Sequence, residues 1–357
     1  MVQYDMAQIL GALLQKKGSD MHLSVGCPPK FRINGELISL NLPVLTPEDT
    51  KTLCLSVLSE EQKKILYKNY ELDFAFTVEG LARFRGNIFF QRGSLAGAFR
   101  VIPIKVLTLE DLQLPDVFKE ISSLPRGLVL VTGATGSGKS TTLAAMVDYI
   151  NSNFQSHILT IEDPVEFVHQ SKKALINQRE IGADSVSFDI ALKSSLRQDP
   201  DVILVGELRT LETISCALTA AETGHLVLGT LHTNSAISSL TRILNVFPDH
   251  QRDQVKVQLS MTLEAVVSQV LLPSLHGGRV MAFELMRRTP AISALIADGK
   301  FKQIYSYMQS GQIGTGMQTL NQMLIDFVDR KIISRDEALS NTNNLDELKK
   351  IMGLDEQ

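Results

Sequence analysis

Apolar and polar residues alternate in short runs from Asp20 to about Arg100. "HLSVG", "KFRINGEL", "LDFAFTVEG", "RFRGNIFF" and "LAGAFRVIP" read as strands parted by Gly, Pro and Asn, with "EEQKKILYKNY" a helix among them. Ahead of them Met6, Ile9, Leu10, Leu13 and Leu14 recur at helical spacing, which predicts an amphipathic helix lying on a core rather than a leader segment. The expectation is a small α+β domain over residues 1–100. Pro103, Pro115 and Pro125 then punctuate the chain, giving a linker over 101–115 and a short helix near Asp116 to Ser122.

After Gly127 the rhythm changes. Short apolar strands separated by helices are the pattern of βαβ units and a parallel sheet, so the fold class is α/β, with this second domain running over 116–357. Four strands stand out: "LVLVTG", "ILTIED", "VILVGE" and "HLVLGTLH". From about Gln251 onward the pattern predicts mostly amphipathic helix. No repeat and no low-complexity tract interrupts it.

The first of those strands runs into "GATGSGKST", which satisfies the phosphate-loop pattern with Gly133, Gly138, Lys139 and Ser140 in the defining places. With the helix "STTLAAMVDYI" following, the backbone N–H groups of Thr135, Gly136, Ser137 and Gly138 and the helix start face one small volume suited to an anion. Lys139 is placed to neutralise the β- and γ-phosphates of ATP. Ser140 would set its hydroxyl on Mg²⁺, and Thr141 can reach the α-phosphate.

In a parallel sheet, ligands bind beyond the carboxyl ends of the strands. The other three strands end there on Glu162 and Asp163, on Glu207, and on His232. Glu207 follows four apolar residues, the Walker B arrangement that points a carboxylate at metal-bound water. Hydrolysis needs a second carboxylate to orient and deprotonate a water. Glu162 as base with Glu207 as metal ligand, and the reverse assignment, both satisfy the pattern. His232 suits a γ-phosphate sensor, and His225 is a second candidate for nucleotide contact. Cations are also required around a transferring phosphoryl group. Arg197 and Arg209 lie in the second domain, and Arg83, Arg85 and Arg100 form a denser set in the first.

Bulk properties remove several classes. A chain of 357 residues predicts about two domains at roughly 150 residues each. A net charge of -4 argues against a protein that mainly neutralises nucleic-acid phosphates. The three cysteines, Cys27, Cys54 and Cys216, form no C-x-x-C pair and suggest neither disulfides nor zinc. No apolar run approaches the roughly 18 residues of a membrane span.

Taken together, "GATGSGKSTTLAAMVDYIN", "IEDPVEFVH", "LRQDPDVILVGELRTLET" and "AAETGHLVLGTLHTNSA", with "GSDMHLSVG" and "RFRGNIFFQRG" before them, closely resemble the type II and type IV secretion ATPases, in the PilT/PilU branch of pilus retraction ATPases. The resemblance spans almost the whole chain. It implies an N-terminal PAS-like α+β domain, a RecA-like P-loop ATPase domain with C-terminal helices, and a homohexameric ring that binds ATP between its domains. It further implies Glu162 as the catalytic base, Glu207 from Walker B, His225 and His232 as a His box, and Arg85 and Arg100 as first-domain arginines reaching the nucleotide.

Expected partners are a pilus platform protein at the inner membrane and a paralogous retraction ATPase, with the ring peripheral on the cytoplasmic face and no nucleic acid bound. The chain lacks the extra N-terminal domain and tetracysteine site of the extension ATPases, which favours retraction. Two departures stand out. Thr210 in "GELRTLET" replaces the usual aspartate, as in the accessory PilU type, and Ser293 in "AISALI" replaces an arginine. The alternatives are an accessory ring subunit docked on a separate motor and a DNA-handling RecA-like ATPase.

Overall fold

The computed structural model describes residues 5–33, 35–102 and 106–354. Asn34 and Pro103, which fall in the predicted second strand and linker, lie outside them. The chain divides into two compact units, Met1–Lys105 with Pro164–Phe167, and Val106–Asp163 with Val168–Gln357.

The first unit contains α1 (Met6–Gln15), β1 (Asp20–Leu23), β2 (Lys30–Ile33), β3 (Glu36–Ser39), α2 (Pro47–Leu55), α3 (Glu60–Asn69), β4 (Glu71–Val78), β5 (Ala82–Gln91) and β6 (Ser94–Ile102). Its described strands form an antiparallel sheet in the order β3-β2-β1-β6-β5-β4. α1 begins at a capping box between Asp5 and Gln8, which satisfies end groups that would otherwise lack partners. Its Leu10 and Leu13 pack with Met21, Phe31, Phe84 and Phe99, all fully buried. "KFRINGEL" is a β2–β3 hairpin rather than one strand, because it turns at Gly35, which has φ +90°. Sequence reading also missed α2, whose apolar residues are few. It is nevertheless fixed by a Thr46–Asp49 capping box and by Pro47 in its first turn.

The second unit opens with α4 (Val117–Ser122) and β7 (Gly127–Thr132), then α5 (Lys139–Asn153), β8 (His157–Glu162), β9 (Leu175–Glu180), α6 (Phe188–Ser195), β10 (Val202–Val205), α7 (Leu211–Glu222), β11 (Leu226–Leu231), α8 (Ala236–Val246) and α9 (Asp249–Thr262). It continues through β12 (Leu263–Pro273), β13 (Arg279–Arg287), α10 (Pro290–Ala297), α11 (Phe301–Ser310), α12 (Gln312–Thr315), α13 (Leu320–Asp329), α14 (Arg335–Asn341) and α15 (Leu345–Ile351).

Its described strands form one sheet, β13-β12-β7-β11-β10-β8-β9. The strands from β12 to β9 are parallel, and β7, β10 and β11 are buried along their whole length. This accounts for their unbroken apolar runs.

Two elements differ from expectation. β9 adds an edge strand that the sequence hides, since four of the six residues of "LINQRE" are polar and only one is buried. The helical region expected from Gln251 is interrupted by the β12–β13 hairpin. "LEAVVSQVLLP" is apolar and valine-rich over a length a helix could also take, and it becomes a strand because it covers the outer side of β7. The turn back into β13 uses Gly277 and Gly278, both with positive φ.

Candidate functional site

Strand register brings the other three predicted strand ends to the end of the sheet that carries the phosphate loop. β7, β11, β10 and β8 are consecutive in the sheet, with Thr132 opposite Leu231, Val205 opposite Gly229, and Val205 opposite Ile161. The residues that follow, Gly133, His232, Glu207 and Glu162, therefore share one end of the sheet.

The loop is shaped by close approach. Gly133 has φ +145°, and a Cβ there would lie 2.4 Å from the Gln269 carbonyl oxygen and 2.5 Å from Ser137 Oγ, so no side chain fits. Its tip, from Ala134 to Gly136, is exposed, while Ser137 and Lys139 are buried and Ser140 and Thr141 stand half-buried in the first turn of α5. Lys139 Nζ donates to the carbonyls of Gly133 and Ala134, each at 2.9 Å. An ammonium held at the mouth of a ring of amides suits incoming phosphate oxygens, which can replace those carbonyls as acceptors.

Thr132 Oγ1, Ser137 Oγ and Gln269 Oε1 are buried without a hydrogen-bond partner among the described residues. Buried polar atoms are rarely left so. A phosphate group in the loop would give the Ser137 hydroxyl an acceptor.

Glu162 accepts from Thr160 Oγ1 at 2.6 Å and from Gln178 Nε2 at 3.3 Å, both on the same carboxylate oxygen. Gly206 separates it from Glu207: the Gly206 N–H donates to the Ile161 carbonyl at 2.8 Å, and its own carbonyl accepts from Thr230 Oγ1. Glu207 Oε1 receives Arg209 Nε at 3.0 Å, and His232 Nε2 lies 3.6 Å from the same oxygen. Carboxylate, imidazole and guanidinium thus form one cluster at the rim of the sheet.

His225 is not brought to this end. It precedes the first residue of β11, six residues and about 20 Å of extended chain from Leu231. There its Nδ1 donates to the Ala220 carbonyl at 2.9 Å. Within one chain the two histidines flank opposite ends of β11, so the end of the sheet that carries the phosphate loop holds His232 and not His225. Arg197 follows α6 and makes a turn hydrogen bond to Ser194.

In the first unit, Arg85 and Arg100 are cross-strand partners on β5 and β6. Both are exposed, Arg100 donating to Asp20 Oδ1 at 2.7 Å and Arg85 lying 3.9 Å from Asp73. Burial alone would raise the Asp20 carboxyl, but hydrogen bonds from Ser19 and Arg100 outweigh it and hold it below the ordinary carboxylate range. The exposed Arg85–Asp73 pair contributes only about 0–1 kcal/mol, whereas Arg100 is tied to the buried Asp20 and keeps the rest of its guanidinium in solvent.

Sequence reasoning missed Gln269. It is buried on β12, and its Nε2 donates to the Ser137 carbonyl at 2.8 Å. It supports the phosphate loop from a strand that carries no recognised motif. A polar residue inside a valine-rich strand was the available signal. Thr210, the residue that departs from the retraction pattern, is the N-cap of α7, accepting from Thr213 N. Threonine and aspartate both serve at that position, so the change preserves the local structure. Ser293 is half-buried in α10, and nothing in the structure explains its exchange.

Mg²⁺ fits the oxygen donors present. Among the described residues no group of three or more His, Cys, Asp or Glu stands ready to hold a metal alone. The Ser140 hydroxyl and Glu207 carboxylate instead offer the few hard ligands used by an ion that keeps waters and shares its substrate's phosphates.

Comparison with known proteins extends these observations. The type II/IV secretion system protein family matches residues 96–284. The chain is 51% identical to the type IV pilus retraction ATPase PilT of Pseudomonas aeruginosa over 94% of its length and 97% of that protein's. It is 39% identical to the type IV pilus ATPase PilU of the same organism over 98% of its length and 92% of that protein's. The crystal structure of the pilus retraction motor PilT with bound ADP superposes with a TM-score of 0.93 at 47% identity, covering 98% of this chain and all of that one.

Proposed function

Because the chain belongs to the type II/IV secretion system protein family, in its retraction ATPase branch, we propose that it hydrolyses ATP to power retraction of a type IV pilus. The observation that carries the chemical part is the convergence of the phosphate loop, His232, Glu207 and Glu162 on four consecutive parallel strands.

The loop amides and Lys139 hold the triphosphate. Ser140 and Glu207 would hold Mg²⁺, which would supply positive charge against the phosphates. Glu162, its carboxylate fixed by Thr160 and Gln178, orients a water and accepts its proton. His232, beside Glu207, faces the γ-phosphate. Arg85 and Arg100 supply further positive charge, which arginine from a neighbouring copy can do with an effect of roughly 10³ to 10⁵ in rate. The working assembly is a homohexamer at the cytoplasmic face of the inner membrane, turning a platform protein. The identity to PilT supports that reading.

Phosphate release by the purified protein, with Lys139→Ala abolishing nucleotide binding, tests the enzymatic reading. Wild-type turnover in that variant would overturn it. Mixing Arg85→Ala with Lys139→Ala protein restores partial activity if the arginine acts across subunits, and restores none if it does not. The accessory-subunit reading rests on Thr210 and on the 39% identity to PilU. Deleting the gene separates the two: lost retraction supports the motor, whereas normal retraction with reduced force supports the accessory role.

A further inference from the structure

Glu284 takes no part in the chemistry above, yet it is a carboxylate with 2% of its surface exposed. It lies on β13 and accepts a hydrogen bond from the backbone N–H of Ala236 at 2.8 Å and another from the N–H of Leu320. Ala236 and Leu320 are the first residues of α8 and α13. One side chain therefore satisfies orphan donors at two helix starts, where the helix dipoles also favour an anion. Burial pushes its carboxyl above the ordinary range, and the two N–H groups pull the other way. A buried charge is seldom the cheapest way to fill a core.

What the two helices carry gives the arrangement a purpose. α8 begins four residues after His232. In the intervening turn, the Asn234 carbonyl accepts from Asn343 Nδ2 at 2.6 Å, a residue just beyond α14. At the other end, Gln318 pairs with Leu285 through backbone bonds of 2.9 and 3.1 Å, which seats the start of α13 beside Glu284. α13 in turn holds α15 through Asn321 Nδ2, bonded to Glu347 Oε2 at 2.7 Å and to the Asn344 carbonyl at 2.9 Å. Tyr305 of α11 donates to the same Glu347 carboxylate. A continuous polar connection thus runs from the turn after His232 to the C-terminal helices.

We propose that Glu284 is a positioning residue that fastens the His232–Ala236 turn to the start of α13, so that nucleotide occupancy is passed to α13–α15, with Asn343 as a second fastening. The inference rests on the reading of His232 as a group facing the γ-phosphate. If His232 is drawn toward that phosphate, the turn moves. The Glu284 carboxylate, bonded on both sides in a dry site, must then carry α13 with it or leave a buried N–H unpaired, which is costly.

Hydrogen exchange on the full chain, with and without a non-hydrolysable ATP analogue, tests this. The wild-type protein is expected to change exchange over residues 319–348 when the analogue binds. Glu284→Asp keeps the charge but lacks the reach to hold both N–H groups. It should bind the analogue within about threefold of wild type while the change over 319–348 falls at least twofold. Glu284→Gln keeps the reach and one acceptor oxygen while losing the charge, and should retain more of the change than Glu284→Asp, whereas a merely electrostatic role would reverse that order. An undiminished change in Glu284→Asp, or no change in wild type with analogue bound, overturns the proposal. Should Glu284→Asp fail to fold, Asn343→Ala, at an exposed position, must lower the same change, and an unaltered value is equally fatal. Failure of the wild type to bind the analogue at all would instead sink the ATP-site reading, with Lys139→Ala as the baseline for that outcome.

Discussion

Replacing Gly206 by alanine asks whether Glu162 and Glu207 act as a spaced pair. A methyl at this position would stand 3.2 Å from the Ile161 carbonyl oxygen and 3.3 Å from Glu162 Cα. Both are backbone atoms of the adjacent strand, which cannot swing aside as a side-chain end does, so the two strand ends must part by a few tenths of an ångström. Gly206 is not among the positive-φ residues, so the backbone itself accepts alanine and the perturbation is purely steric. Overpacking of this kind costs about 1–3 kcal/mol. At about 2–4 °C per kcal/mol for a domain of this size, the melting temperature should fall by about 2–12 °C.

The effect on chemistry is separable from the effect on stability. A misplacement of 1 Å can cost about 10²-fold, so a few tenths should lower kcat about three- to tenfold. KM for ATP should stay within about twofold, because β11 stands between β10 and the phosphate-loop strand. Steady-state phosphate release and thermal unfolding on the same preparation read both quantities. Gly11→Ala is the matched control: its methyl would meet only Leu81 side-chain carbons at 3.7 and 3.8 Å. It should leave kcat alone and stabilise the fold by about 0.4–1 kcal/mol. Wild-type kcat in a Gly206→Ala protein whose melting temperature has dropped would refute the idea that hydrolysis depends on carboxylate spacing.

Three further predictions follow from single contacts. Thr160→Val removes a donor to the Glu162 carboxylate and should lower kcat about tenfold at unchanged KM; an unaltered kcat would show that Thr160 does not position that carboxylate. Gln269→Leu deletes the support of the Ser137 carbonyl, worth about 0.5–1.5 kcal/mol, so ATP binding measured by titration should weaken about two- to tenfold. Glu284→Gln should show a pH signature. Because burial raises the folded-state pKa above the unfolded value of 4.5, the wild-type protein loses stability as pH rises from the unfolded toward the folded pKa. The melting-temperature advantage of Glu284→Gln should therefore grow over that interval, and a difference independent of pH would contradict a buried titrating carboxyl.

The centre of this site was legible in the sequence because its residues obey local rules. A glycine-rich turn between a strand and a helix, and acidic or histidine residues ending apolar strands, say where side chains go without knowledge of the whole. What was not legible depends on neighbours. A polar residue in a valine-rich stretch marks Gln269 as unusual, but nothing in the sequence ties it to a loop more than a hundred residues away. The β12–β13 hairpin falls in a region whose pattern predicts helix, because a mostly apolar stretch of eleven residues suits either form, and only its position beside β7 decides. The grouping of His225 with His232 comes from the family resemblance, and within one chain the length of β11 separates them. Glu284 gave no signal, since its two partners are backbone groups at helix starts distant in the chain.

The β12 strand also bears on how this protein can be cut. It covers the outer side of the strand that feeds the phosphate loop, pairing Ala265–Ser268 with Val129–Thr132. A polypeptide ending after His232 would hold every nucleotide-contacting motif of the second unit, yet it would leave β7, buried along its whole length in the full chain, as a bare sheet edge. Such edges recruit strands from other chains and aggregate. Completeness of the motifs and completeness of the fold are therefore different lengths of chain, and the smallest soluble ATPase fragment must run through the hairpin to Arg287.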